Sequence, residues 1–206
     1  MQRLTRGERK ERTRAELVAA ARRVFLRHGF HRATLEDIAE EAGYTKGAVY
    51  SNFGGKDELF LGVLDDNYAG QRHAHVGLMR AGATLEAGLR AAARQLAERA
   101  RQDPEWIPLL VEFWTHASRH APLRQEVLAR HERQMDTFAA TLAELAARHH
   151  LEFVVPPGQV ARTANALARG TALERLLDPH SIAAKRFEDT FALLVLGYTR
   201  PRGGPS

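Results

Sequence analysis

Between Thr34 and Leu59 the chain reads TLEDIAEEAGYTKGAVYSNFGGKDEL, two very short helical patterns set on either side of a glycine. Leu35, Ile38 and Ala42 follow a spacing of three and four, which turns one face of a short helix inward. Thr34 and Asp37 approximate the hydroxyl-x-x-acid box that satisfies free N–H groups at a helix start. Gly43 supplies the sharp turn, because a left-handed position after a helix is cheap for glycine. Thr45 can cap a second helix carrying Lys46, Ala48, Val49, Tyr50 and Asn52. This is the layout of a helix-turn-helix, whose second helix lies in the DNA major groove. The expected partner is therefore double-stranded DNA.

The same run resembles the TetR family of transcriptional regulators. The resemblance rests on Phe25, Gly29-Phe30, Thr34, Ile38-Ala39, Ala42-Gly43, Thr45-Lys46-Gly47, Val49-Tyr50, Phe53, Lys56 and Leu59. These match a long first helix ending in phenylalanine and a glycine-aromatic step, then T-x-x-x-I-A-x-x-A-G-x-[ST]-[KR]-G-x-[LVF]-Y-x-x-F, then K-x-x-L. Any two amphipathic helices can imitate an isolated helix-turn-helix, whereas so many matched positions over about fifty residues cannot be assembled casually. The motif covers roughly the first quarter of the chain.

Charge agrees with that placement. Residues 1–56 hold 12 Lys/Arg against 7 Asp/Glu, and the remaining residues hold 18 of each. The whole net charge of +5 thus sits on the segment with the motif, where a polyanion would need it. The chain has no cysteine, which excludes disulfides, thiolate zinc sites and cysteine nucleophiles. No signal-peptide pattern opens it and no apolar run approaches the roughly twenty residues of a membrane span. A cytoplasmic protein without membrane association is expected.

At 206 residues and 44% hydrophobic, the chain can bury one sizeable core or two modest ones. Almost all of it reads as helix: Arg14–His28, the two motif helices, Lys56 to about Met79, Thr84 to about Gln102, a helix restarting at Pro104, Pro122 to about His150, Gln159–Leu177 and Ser181–Tyr198. Sustained two-residue alternation is missing, so strands are not expected, and the terminal PRGGPS reads as disordered. The predicted fold is all-α, with a three-helix DNA-binding domain over 1–56 and a six-helix effector-binding and dimerisation domain over 57–206. TetR resemblance implies the same architecture.

For the DNA contact, residues at the start of the second motif helix reach base edges and flanking polar groups hold phosphates. The candidates are Tyr44, Thr45, Lys46, Gly47 and Ala48 near the bases, with Tyr50, Ser51 and Asn52 further along. Lys46 suits guanine O6 or N7, and a methyl of Thr45 or Ala48 suits a thymine methyl. Thr34 and Lys56 stand at flanking helix starts; the resemblance supports Thr34, Tyr50 and Lys56 as phosphate contacts. Ile38, Ala39, Ala42, Val49 and Phe53 read as core. The basic tail with Arg3, Arg6, Arg9, Lys10 and Arg12 either enters a minor groove or screens phosphates.

The long neutral remainder implies dimer formation, ligand sensing or both. Trp106, Phe113, Trp114, His116, Met135 and Phe138 combine bulk with polarity and are the candidate lining of a small-molecule site between helices. Glu112, His116 and His120 share a helix face at four-residue spacing, but among 10 histidines that pattern arises readily by chance, and no metal is expected. Ala161, Ala164, Ala168 and Ala172 form a small-residue stripe, which with Phe191 and Val195 on the last helix is the expected dimer face. The stretch ALARGTALERLLDP resembles the helix that builds a four-helix dimer bundle in TetR-type regulators.

The favoured function is a homodimeric repressor released from a pseudo-palindromic operator by a small-molecule effector. The alternative is a DNA-binding protein whose helical domain docks another protein. An enzyme is not expected, and neither is a cofactor: no phosphate-cradling glycine loop, no H-E-x-x-H and no G-x-S-x-G occurs.

Overall fold

The computed structural model describes residues 5–178, 181 and 184–203. Among them the order is α1 Arg6–Arg32, α2 Leu35–Ala42, α3 Lys46–Asn52, α4 Lys56–Ala81, α5 Leu85–Gln102, α6 Trp106–Ser118, α7 Ala121–Arg148, β1 Leu151–Phe153, α8 Pro157–Leu177, α9 Ala184–Leu196 and β2 Thr199–Pro201. The all-α architecture with its helix-turn-helix is present as read. Two differences stand out. Strand β1 pairs antiparallel with β2, Leu151 opposite Pro201 and Phe153 opposite Thr199, a ribbon too short to leave an alternating pattern in sequence. It also places Pro201, expected in a disordered tail, within a ladder; residues 204–206 lie outside the described residues. The second difference is α1, which starts at Arg6 rather than Arg14. Thr5 and Glu8 close a full capping box there, so Arg6, Arg9, Lys10 and Arg12 lie on a helix and do not form an extended arm. Arg3 lies outside the described residues.

The packing divides into two units. The first holds the chain up to Ala69 together with Leu109–Val127, and the second holds Gly70–Pro108 and the residues from Leu128 on. This departs from the partition at residue 56. The first half of α4 supplies Leu59, Phe60, Val63 and Leu64 to the core that α1 begins, all of them fully buried.

The core of the first unit is aromatic. The rings of Phe60 and Phe113 stack at 4.0 Å, and Phe30 meets Phe60 and Phe113 edge-on at 5.5 and 5.0 Å. Phe25 adds an edge contact to Phe60 at 5.2 Å. Each such pair contributes about 0.5–1.5 kcal/mol beyond area burial. The second unit packs Leu85, Leu89, Ala92 and Ala93 of α5, Leu142, Leu145 and Ala146 of α7, Val160, Ala161 and Ala164 of α8, and Phe187, Phe191, Ala192 and Val195 of α9. Arg94 of α5 clasps the buried Glu188 of α9 through two bonds of 3.0 and 2.8 Å. Helix α8 opens on Pro156-Pro157, with Pro157 in the first turn where its missing N–H costs nothing. No helix among the described residues is long and apolar enough to cross a membrane.

Candidate nucleic-acid interface

The two motif helices are fixed by local chemistry. The Thr34 hydroxyl accepts from the Asp37 N–H at 3.1 Å while the Asp37 carboxylate accepts from the Thr34 N–H at 3.0 Å. That reciprocal bonding holds the Asp37 carboxyl below its ordinary range. At the other end of α2, Gly43 sits in the left-handed region at φ 70°, ψ 27°. The Tyr44 N–H reaches back to the Ala39 carbonyl at 2.9 Å and the Gly43 N–H to the Glu40 carbonyl at 3.0 Å, closing the helix end. Thr45 then caps α3, its hydroxyl accepting from the Ala48 N–H at 3.2 Å. Ile38, Ala39, Val49 and Phe53 are buried as expected, and Ala42 is half-buried.

Helices α2 and α3 are stitched to α1 by side chains whose roles the sequence did not show. Glu41 bonds Arg23 at 2.7 Å and Arg27, and these two guanidiniums hold its carboxyl below the usual range. Arg14 donates to the Asn52 carbonyl at 2.6 Å and lies 4.0 Å over the Phe53 ring. The Tyr44 hydroxyl meets Glu16 of α1, which is also bonded to Arg12. Part of the basic surplus of this segment thus braces the motif.

The ten DNA candidates separate accordingly. Thr34, Thr45, Lys46, Gly47, Tyr50 and Ser51 are exposed. Tyr50 is 52% exposed, large for an aromatic side chain, with the Lys46 ammonium 5.8 Å from its ring. Lys46 also pairs with Glu36 of α2, which raises the lysine and lowers the glutamate from their ordinary values. Both partners are exposed, so a phosphate or base can compete for the ammonium. Gly47 has only the Thr45 hydroxyl, 3.8 Å away, near where a Cβ would stand, so nothing in the chain itself demands a glycine there.

Tyr44, Ala48, Asn52 and Lys56 are half-buried. The Asn52 amide turns back to the Ala48 carbonyl at 2.8 Å. Lys56 donates to the His31 and Ala33 carbonyls at 3.1 Å each and stands 4.7 Å over the Phe30 ring. Its charge closes the end of α1, and the ammonium keeps one further N–H to donate.

The candidate ligand residues are not gathered in one packing unit. Phe113, Trp114 and His116 belong to the first and Trp106, Met135 and Phe138 to the second. Phe113 is corrected from lining to core: it is fully buried in the phenylalanine stack. His116 is half-buried and contacts Asp57 at 3.1 Å, while Glu112 accepts from the Phe30 and His31 amides. Two of the three side chains of the possible metal face are thus engaged within the first unit, and the third, His120, contacts the His116 carbonyl at 2.9 Å. Trp106 and Met135 are buried, Trp114 and Phe138 half-buried.

The expected dimer face also needs correction. Ala161, Ala164, Phe191 and Val195 are buried in the chain's own core, and Ala168 packs against it; Ala172 is half-buried. The small-residue stripe admits close helix packing inside one subunit. The outward stripe of α8 is a different one, Ala166, Gly170, Leu173 and Leu177, with Leu193 outward on α9.

The profile of bacterial regulatory proteins of the tetR family matches residues 17–63, and that of the C-terminal part of BetI-type transcriptional repressors matches residues 85–195, more than half of the chain. The chain belongs to the TetR family. It is similar to the HTH-type transcriptional regulator TtgR of Pseudomonas putida, 45% identical over 76 residues that make up 37% of this chain and 35% of TtgR. The HTH-type transcriptional repressor NicS of P. putida is 30% identical over 124 residues, 60% of this chain and 58% of NicS. These matches therefore span roughly a third to just over half of each relative. Among solved structures, a TetR-family regulator from Mesorhizobium loti superposes with a TM-score of 0.74 at 22% identity, covering 95% of this chain and 97% of that one. FadR from Bacillus subtilis, solved in complex with stearoyl-CoA, superposes at 0.73 with 15% identity over 89% and 98% of the two chains. At such identities the superpositions speak for the TetR fold alone. The chain is a member of the TetR family of transcriptional regulators.

Proposed function

We propose that this regulator is a homodimeric repressor that reads a pseudo-palindromic operator through α3 and leaves it when a small, largely apolar molecule binds the helical domain. The observation that carries the reading is the exposed row Thr45, Lys46, Gly47, Tyr50 and Ser51 on a helix whose other face is fixed by Val49. A glycine that the chain does not require, beside an exposed tyrosine and lysine, fits close approach to a duplex. Thr34 is the flanking phosphate contact, its hydroxyl keeping a proton to donate after capping α2.

Dimerisation is supported by the apolar side chains that one subunit leaves outside. Leu177 is 89% exposed and Leu193 64%, on two helices that pack against each other. Ala166, Gly170, Leu173 and Leu177 recur on one face of α8, where small residues would let a second copy approach. The effector reading is supported by Gln134 on α7, next to the buried Met135. Among the described residues its Oε1 is enclosed without a hydrogen-bond partner, while its Nε2 makes a long bond of 3.4 Å to Gln71. An enclosed acceptor left open is where a ligand donor or a water belongs. NicS, which shares part of its sequence, is named a repressor, and FadR carries an acyl-CoA within the same fold.

The test is operator selection from a random DNA pool, followed by anisotropy titration of wild type and two variants. Lys46→Ala should cost about 1–3 kcal/mol on the selected site and much less on scrambled DNA. Tyr50→Phe should weaken both about equally, as loss of a phosphate contact does. If neither variant changes either affinity, α3 is not the reading helix.

A further inference from the structure

The segment that leaves α1 and enters α2 is gripped from a distant part of the chain. At Gly29 the backbone turns out of the helix, φ 75° and ψ 167°, and the next two amides point away from the α1 ladder. Both are taken by one carboxylate: Glu112 of α6 accepts from the Phe30 N–H at 3.0 Å and from the His31 N–H at 2.8 Å. Two consecutive amides aimed at one anion form a small nest. A Cβ at position 29 would stand 2.8 Å from Glu112 Oε2, so glycine is needed both for the backbone angle and for the approach of the carboxylate.

The carbonyls of the same segment are held from another side. Lys56, at the start of α4, donates to the His31 and Ala33 carbonyls. One turn beyond Glu112, His116 contacts Asp57, the neighbour of Lys56. Thr34, the cap of α2, follows immediately. The direction of residues 29–33 is thus fixed by the Glu112 carboxylate of α6, which holds its amides, and the Lys56 ammonium of α4, which holds its carbonyls, and it sets where α2 and α3 begin.

We propose that Glu112 is a positioning residue for DNA reading: by fixing the path from α1 into α2 it sets the attitude of α3. The proposal rests on the two-headed operator reading above. Rigid heads tolerate one half-site spacing. One inserted base pair moves a half-site by about 3.4 Å and turns it by about 34°.

The experiment compares wild type, Glu112→Gln and Glu112→Ala on the selected operator and on versions lengthened by one and two base pairs at the centre. Wild type should lose about tenfold in affinity per inserted pair. Glutamine keeps the volume but offers one acceptor to two donors, and Glu112→Gln should lose less than about threefold. Hydrogen exchange at Phe30 and His31 should quicken in both variants while protection of Val24 and Phe25 stays. Gly29→Ala approaches the same contact from the other side and should reproduce the flattened spacing response. A variant that binds every operator more weakly by one common factor, with the wild-type spacing penalty intact, overturns the proposal, since that is what lost stability alone produces. Unchanged exchange at Phe30 and His31 also overturns it. A wild-type protein indifferent to spacing removes the two-headed reading and the proposal together. If Glu112→Ala does not fold, the spacing response of Glu112→Gln decides.

Discussion

The two packing units use different materials for the same task. The first closes on a cluster of phenylalanines drawn from α1, α4 and α6, so residues as far apart in the chain as Phe30 and Phe113 meet ring to ring. The second closes mainly on leucines and alanines, with Phe187 and Phe191 of α9 as its one buried ring pair among the described residues, and adds Arg94–Glu188 and Arg90–Asp189 between α5 and α9. An aromatic stack fixes orientation, because rings prefer particular mutual angles. A leucine and alanine core fixes distance and tolerates rearrangement better. That difference suits the proposed division of labour, a part that presents α3 in one attitude and a part that would admit a ligand.

The largest expected effect tests the aromatic side of the comparison. Phe113→Ala should destabilise the protein by about 3–5 kcal/mol in urea unfolding, and DNA binding should fall with the folded fraction. Leu142→Ala, equally buried in the second unit, should cost about 2–5 kcal/mol. Stability near wild type in Phe113→Ala would return Phe113 to a pocket wall and break the contrast. Next in size is association. Leu193→Glu and Leu173→Glu place charge on the outward stripes and should convert dimer to monomer in sedimentation, with the unfolding free energy of the subunit changed by less than about 0.5 kcal/mol. Dimers that persist in the double variant would exclude this face.

The same contrast explains what could be read beforehand. The capping box at Thr34, the turn at Gly43 and the cap at Thr45 are short-range features whose partners lie within three to five residues, so the sequence displays them. Glu112 could not be placed, because its amide partners are 81 and 82 residues away and no local pattern marks a carboxylate that will meet them. The dimer face was misread for a different reason. On α8 the stripe Ala161–Ala164–Ala168 and the stripe Ala166–Gly170–Leu173–Leu177 both keep helical spacing, and only the packing of α5 and α9 decides which turns inward. The bonds of Lys56 to the end of α1 were equally hidden, because an exposed cation and one that caps carbonyls look alike in sequence.

A smaller effect separates stability from reading. Thr34 caps α2 and Thr84 caps α5, each hydroxyl accepting from the third residue on, at 3.1 Å in both cases. Thr34→Ala and Thr84→Ala should each cost about 1 kcal/mol in unfolding experiments. Only Thr34→Ala should also weaken DNA binding of the folded protein. Equal operator affinity in the two variants would leave Thr34 a cap and nothing more.

The smallest expected effect is one of acidity, and it sets the two units apart again. In the first unit two of the shifted groups are carboxylates that brace the motif. Glu16, bonded by Tyr44 and Arg12, and Glu41, bonded by Arg23 and Arg27, are both held below their ordinary 4.5. Their contribution is present at neutral pH and disappears only as pH falls through those lowered values. In the second unit burial, together with Arg169 and Arg162, pushes His131 from 6.5 down to about 4. An unfolded chain protonates this imidazole near 6.5, whereas the folded chain does so only near 4. Between those values the unfolded state binds more protons, so stability declines as pH falls through the window and the loss levels off below it. The interval from about pH 6.5 to 5 lies above the carboxylate range, and comparison with a variant lacking this imidazole isolates its share from that of the other histidines. Thermal melts of wild type should fall across that interval, and His131→Gln, which cannot titrate, should show a shallower fall. An equal fall in the variant would mean that the acid response of the second unit arises elsewhere, and His131 would then no longer distinguish it from the first.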